Sequence, residues 1–292
     1  EATGLENSLK FLNSVGINYP EIHYSNAISS NTSDTSREYG ASSEKMAAAY
    51  ATFANGGTYY APQYVNKIVF SDGTVKEFPQ TGTRVMSEET AYLMTDMMKS
   101  VMEVGYGLNA SVAGVPMAGK TGTSNYTDTE MESIIAAIPE AAYNTMVVPD
   151  ENFVGYSSQY AMAVWTGYTN RMTPILDNGM RIASDVYHNM MTFMHSDYTA
   201  TDWEVPSGVV NFGGNYYLRD SSSLKNAYIN HYNSLSQSSS SSSTSSSSSS
   251  STPASGTHDN GTQTETSTSD GTSTSDTSSN QQNNGNTENT NQ

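Results

Sequence analysis

Residues 118–124 read Ala-Gly-Lys-Thr-Gly-Thr-Ser, and this is where the sequence could do chemistry. Lys120 supplies a positive charge that can anchor a carboxylate or help move a proton. Thr121 and Thr123 offer hydroxyls to the same carboxylate. Gly122 has no side chain, so a ligand can lie against the backbone there. A backbone N–H near Thr123 can serve as one half of an oxyanion hole. Acyl transfer at such a place also needs an activated nucleophile beside the lysine. The triplet is short, and a polar stretch that merely ends a strand would read the same way.

A competing motif overlaps it. Gly114 to Thr121, GVPMAGKT, formally fits the phosphate-binding pattern G-x-x-x-x-G-K-T. Pro116 and Met117 suit a strand, and the Gly-Thr-Ser-Asn-Tyr-Thr-Asp that follows Lys120 cannot begin the helix the pattern requires. Nucleotide binding is therefore rejected. The 5 histidines are scattered without metal-ligand spacing, and with 0 cysteines thiolate metal sites and disulfides are excluded. No cofactor is expected. Glu130 and Glu132 follow the lysine strand in what reads as a loop, where they could rim a groove or simply be solvated.

The elements that must position Lys120 can be traced along the chain. Leu5, Leu9 and Leu12 recur at helical spacing, with Thr3 as a candidate cap and Gly16 as a stop. Residues 17–40 are polar and turn-rich. Residues 42–57 predict a helix capped by Ser42 or Ser43 and stopped by Gly56 and Gly57; its run of small residues allows close packing. Residues 64–70 and 74–78 predict a hairpin around Ser-Asp-Gly. Ser87 starts a helix over Glu88 to Val104, with Gly105 as its end and Leu93, Met94, Met97, Met98, Val101 and Met102 as its apolar face. Residues 112–124 predict the strand that bears Lys120. Residues 152–156 and 160–168 predict adjacent antiparallel strands, the second nearly all apolar and so expected to be central. A last helix is expected from about Met180 to His195, and then a short closing module.

Composition is uneven. Apolar residues are 35% of the 292 and charged residues 14%, with the deficit at the C-terminal end. From about residue 233 periodicity is lost in Ser, Thr, Gly, Asn, Gln and Asp, and such a segment cannot offset the entropy of ordering. Three regions are expected: 1–210, a short closing segment 211–232, and a disordered tail 233–292. The formal charge of -17, without a basic cluster, argues against nucleic acid and anionic lipid as partners. No apolar run is long enough to cross a bilayer. The chain opens at Glu1 in mid-pattern, so it reads as a fragment, with any anchor or export signal upstream.

Several segments together resemble the transpeptidase domain of class A penicillin-binding proteins, the streptococcal members most closely. They are YGASSEKMAAAYATFANGGTYYAP (39–62), SDGTVKEF (71–78), RVMSEETAYLMTDMMKSVM (84–102), AGKTGTSNYTD (118–128) and FVGYSSQYAMAVWTGYTNR (153–171), in matching order over roughly residues 1–210. Lys-Thr-Gly is one of three signatures of penicillin-recognising serine acyl enzymes. The resemblance implies an α+β fold of mainly antiparallel sheet with flanking helices, incomplete at the N-terminus. Its third strand carries the signature and falls on Lys120, Thr121, Gly122 and Thr123. Its fourth and fifth strands fall on 152–157 and 160–168. It implies D-Ala-D-Ala cross-linking of peptidoglycan stem peptides through an acyl-serine, with β-lactam antibiotics acylating the same serine. Cell-division or elongation proteins are further partners it allows. It also implies a place on the outer face of a Gram-positive cell membrane, with the tail toward the wall and a glycosyltransferase upstream.

The family also needs S-x-x-K, which holds the nucleophile and its base, and S-x-N; both normally lie well before YGASSEKMAAAY. Ser42-Ser43-Glu44-Lys45, Ser222-Ser223-Leu224-Lys225 and Ser29-Ser30-Asn31 fit these patterns literally but read as chance in a serine-rich chain. The nucleophile is expected upstream, and this polypeptide alone is expected to be inactive. Two readings follow: part of a peptidoglycan transpeptidase, or a wall-exposed binding or spacer segment that keeps the sheet without the chemistry.

Overall fold

A computed structural model describes residues 4–27, 39–197 and 199–241. The candidate cap Thr3, the Ser29-Ser30-Asn31 match and most of the predicted tail, residues 242–292, lie outside them. The chain divides into two units, Glu1–Ser238 and Ser239–Gln292; the second contributes only the end of one helix to the described residues.

Helix α1, Leu5–Ser14, starts at Gly4 and closes through Val15. Helix α2, Ser43–Ala54, is capped by Ser42, whose hydroxyl accepts the Lys45 N–H at 3.3 Å. Strand β1, Thr58–Tyr59, later pairs with β4, Thr83–Arg84. Between them stands the expected hairpin, shorter than its apolar run: β2, Lys67–Val69, against β3, Val75–Glu77, every strand residue exposed.

Helix α3, Glu88–Lys99, begins at the Ser87 cap, whose oxygen accepts the Thr90 N–H at 3.2 Å. It tightens into a 3-10 turn at Ser100–Glu103. Gly105 does not end this helix. The chain passes through Gly105 at φ +52° into a separate helix α4, Gly105–Ala110. The methionine stripe also needs correction. Met98 and Met102 are buried, but Met97 is 57% exposed. Residues 94, 98 and 102 recur every four positions on one face, and 97 falls outside that row.

The lysine strand, β5, is Ala118–Thr123, not 112–124; Val112 to Val115 forms a turn instead, closed by a Val115 N–H to Val112 carbonyl bond of 3.1 Å. Helix α5, Asp128–Ala137, follows on a Thr127–Glu130 capping box. A 3-10 turn, Pro139–Tyr143, leads to β6, Val147–Val148, and β7, Asp150–Tyr156. Strand β8, Ala161–Gly167, returns beside β7, and β9, Ile175–Leu176, pairs with β6. Helix α6 is Ile182–Met194. The closing module is a hairpin of β10, Val209–Phe212, and β11, Asn215–Leu218, then helix α7, Ser222–Ser241. The hairpin straddles residue 210, and α7 continues past residue 233 into the serine run.

The main sheet has the order β5-β7-β8, all antiparallel. The central strand is thus β7. Among the described residues the nearly all-apolar β8 lies at an edge, and its Trp165 is 48% exposed. Its apolar content reflects contact with α2 on one face and α6 on the other, which leaves most of its residues half-buried. Alternation along β7 sorts the two faces. Phe153 faces α6, its ring 4.7 Å from Tyr187, in a core with Met102, Ala110 and Met191. Tyr156 faces the other way, toward Met98 of α3 and Tyr50 of α2. Its hydroxyl shares a buried 2.9 Å hydrogen bond with Thr95 of α3. Helices therefore cover both faces, and the edge of β5 away from β7, unpaired among the described residues, is left for the site.

Candidate active site

In the β5–β7 ladder Lys120 stands opposite Val154 and Gly122 opposite Asn152; these four residues share the face toward α2. Thr121 stands opposite Phe153 and Thr123 opposite Glu151, on the face toward α6. Among the described residues β5 has a strand partner on one side only.

A cleft of about 690 Å³ opens between this face of the sheet and the start of α2. Lys120, Thr121 and Gly122 line it; Thr123 is not among its lining residues. Tyr19, Tyr39, Tyr50 and Trp165 give it an aromatic wall, and Ser42 and Ser43 bring the N-terminus of α2 to its margin. Among the described residues Lys120 is the only one lining it with a charged side chain. In a chain of net charge -17 this cleft is locally cationic, and the positive end of the α2 dipole adds to it. The Lys120 ammonium donates one hydrogen bond, to the Thr121 carbonyl at 3.0 Å. An ammonium has three donors, so capacity remains for a ligand carboxylate.

The two glycines of the strand differ. A Cβ added at Gly119 would sit 3.0 Å from Met102, Phe153 and the Val154 carbonyl, so packing there is tight and a larger residue would push these neighbours aside. At Gly122 an added Cβ would meet only the Asn152 Cβ, at an ordinary 3.4 Å. Protein packing does not explain Gly122, and its bareness leaves room along the strand for a ligand.

The turn after β5 is held from two sides. Ser124 donates to Asp150 at 2.6 Å. Arg171, in the loop after β8, donates to the Asn125 carbonyl at 2.7 Å and pairs with Glu130 at 3.1 Å. The Tyr126 hydroxyl donates to the Arg171 carbonyl at 2.5 Å, and the guanidinium lies 5.3 Å from the Tyr126 ring centre. The Thr127 N–H and the Arg171 ion pair hold the Glu130 carboxyl below its usual range, while burial pushes the Tyr126 phenol up to about 12. Glu130 is thus a helix-capping ion-pair residue, not a loop carboxylate, and Glu132 lies exposed on α5. No local pattern singles out Arg171, whose partners come from a segment more than forty positions earlier.

Glu151 likewise carries no sequence signal, since its burial depends on α6 packing against β7. It is 2% exposed, and one carboxylate oxygen has no hydrogen-bond partner. Burial, followed by the charge of Asp185, pushes its pKa up to about 7, although the Ala183 N–H opposes the shift. Ser42 does not resemble a poised nucleophile: its oxygen is engaged as the α2 cap, and Lys45 is exposed. Ser222 and Lys225 belong to the first turns of α7. Among the described residues no cluster of three or more His, Asp or Glu could hold a metal ion.

A site built on a Lys-Thr-Gly strand edge, set in a helix-sheet-helix sandwich, defines a class of acyl-transfer domain. Residues 3–192 match the penicillin binding protein transpeptidase domain, and the chain belongs to that family. It is 57% identical over 210 residues to penicillin-binding protein 1A of Streptococcus pneumoniae (strain ATCC BAA-255 / R6), covering 72% of this chain and 28% of that protein. It is 58% identical over 204 residues to penicillin-binding protein 1A of Streptococcus oralis, covering 70% of this chain and 31% of the other. The chain therefore spans less than a third of these relatives. A crystal structure of penicillin-binding protein 1A from Haemophilus influenzae shares the fold, with a TM-score of 0.54, 16% identity, and coverage of 74% of this chain and 37% of the other.

Proposed function

We propose that this chain is the strand-bearing part of a serine DD-transpeptidase that cross-links peptidoglycan stem peptides. Lys120 binds the terminal carboxylate of the stem peptide, or the equivalent carboxylate of a β-lactam, and tunes proton transfer at the serine. Thr121, which lines the cleft beside Lys120, offers its hydroxyl to that carboxylate, Gly122 lets the acylating chain lie along β5, and a backbone N–H near Thr123 forms half of an oxyanion hole; the Thr123 hydroxyl would join the carboxylate only from outside the present cleft lining. The observation that carries this reading is the Lys120 cation lining an aromatic cleft on a Lys-Thr-Gly strand that, among the described residues, has a strand partner on one side only.

The serine itself is assigned to a segment outside these residues. Neither literal S-x-x-K match within the described residues supplies it, since Ser42 caps α2 and Ser222 starts α7. The whole protein would also carry glycosyltransferase activity and sit on the outer face of a Gram-positive membrane, anchored upstream. The test is acylation of the full-length protein by a fluorescent penicillin, wild type against Lys120→Ala. A large loss of rate with unchanged melting supports the assignment. Equal rates leave Lys120 as a solvated strand-end residue, and no acylation of wild type returns the domain to a binding or spacer role.

A further inference from the structure

We propose that Arg171 is a positioning residue for the β5 site, an inference that rests on the transpeptidase reading above. Among the described residues strand β5 has a neighbour in the sheet on one side only, and the ladder with it ends at Thr123 opposite Glu151. What holds the chain beyond that point is side-chain chemistry. Ser124 is tied to Asp150, and the next residues are gathered by Arg171. The guanidinium uses two different nitrogens for two parts of the turn: Nη2 for the Asn125 carbonyl at 2.7 Å and Nε for Glu130 at 3.1 Å. The arginine's own carbonyl accepts from Tyr126, whose ring lies beside the guanidinium. Glu130 meanwhile closes the capping box with Thr127.

All these hydrogen-bonding partners of the Arg171 side chain and carbonyl lie within 125–130, immediately after the proposed substrate strand. The ion pair is largely shielded, its side chains 21% and 24% exposed, so it holds geometry better than a solvated pair would. A forked, rigid donor is suited to fixing two acceptors at once; an ammonium is a point charge and can match only one such geometry well. The consequence is that the Gly122–Thr123 edge enters the reaction already ordered, with its backbone donor aimed.

The test uses the full-length protein. Stopped-flow acylation with a fluorescent penicillin separates affinity from the acylation rate constant, and amide hydrogen exchange is followed across 121–128. Arg171→Gln should lower the acylation rate constant about ten- to a hundredfold, as misplacement of a donor does. Affinity should stay within about threefold, because the Lys120 contact is retained. Exchange at 121–128 should accelerate while the 64–78 hairpin is unchanged. Arg171→Lys should recover only part of the rate, whereas a role through charge alone would restore it fully. If Arg171→Gln does not fold, Tyr126→Phe serves: it removes one bond to the Arg171 backbone and should slow acylation several-fold at constant affinity. Wild-type rate and wild-type exchange in Arg171→Gln overturn the proposal. Faster exchange in a protein whose wild type is never acylated overturns the transpeptidase reading instead.

Discussion

At the scale of single residues, Lys120 and Glu151 are contrasting ionisable groups on neighbouring strands. Lys120 is exposed at the cleft, and its value lies in what it offers a ligand. Lys120→Ala in the full-length protein removes a charge-assisted contact of about 1.5–3 kcal/mol, so acylation should slow more than about tenfold. Lys120→Arg should restore part of the rate, because its planar fork misplaces the charge. Second-order acylation kinetics measure both. Glu151 is buried, and its carboxyl is raised from 4.5 to about 7, chiefly by burial. The folded state holds this proton more tightly than the unfolded chain does. The contribution of Glu151 to stability is therefore greatest below pH 4.5 and is lost as pH rises toward about 7. Glu151→Gln keeps the shape without the titration. It should match wild type at pH 4 and exceed it at pH 8 by about 1–3 kcal/mol in urea unfolding. A constant difference across that range would show that the carboxyl titrates normally.

Between elements, the junction of α3 and β7 rests on the buried Thr95–Tyr156 bond. Tyr156→Phe strips the partner from a buried hydroxyl and should cost about 1–3 kcal/mol, as should Thr95→Val. The double variant should cost less than the sum, since it leaves neither group unpaired. Thermal unfolding of the four proteins gives the coupling, and strict additivity would remove the bond from the account. Helix α5 offers a local counterpart. Thr127→Ala loses the capping oxygen and should cost about 1 kcal/mol, and it also loosens Glu130 where Arg171 grips it. This helix was legible in principle, because Thr127 with Glu130 three positions later is a capping signature. The polar residues directly after the strand signature read as loop, because turn-forming Ser, Asn and Asp surround the cap. Helix α4 was hidden for another reason: Gly105 commonly marks a helix end, and only the turn made at φ +52° converts that end into a new start.

For the whole molecule, the proposal divides the chemistry between this chain and a serine outside it. Mass spectrometry of this polypeptide after incubation with penicillin should show unmodified mass, while the full-length protein should gain one adduct. An adduct on Ser42 would make the short S-x-x-K match real, despite its role as a helix cap. The sequence by itself determined the Ser87 cap, a cap at Ser42 or Ser43, the hairpin, the lysine strand and the antiparallel pair that follows it. Each depends on residues adjacent in the chain, whose propensities and turn chemistry act locally. It also determined the family, because whole segments match in order. Only the tertiary structure decided that β7 and not β8 is central, that Met97 faces solvent, that Arg171 grips the turn after Thr123, and that Glu151 is buried with an unpartnered oxygen. Strand order, burial and such long-range contacts depend on which residues distant in sequence become neighbours, and that is a property of packing rather than of any local stretch of chain.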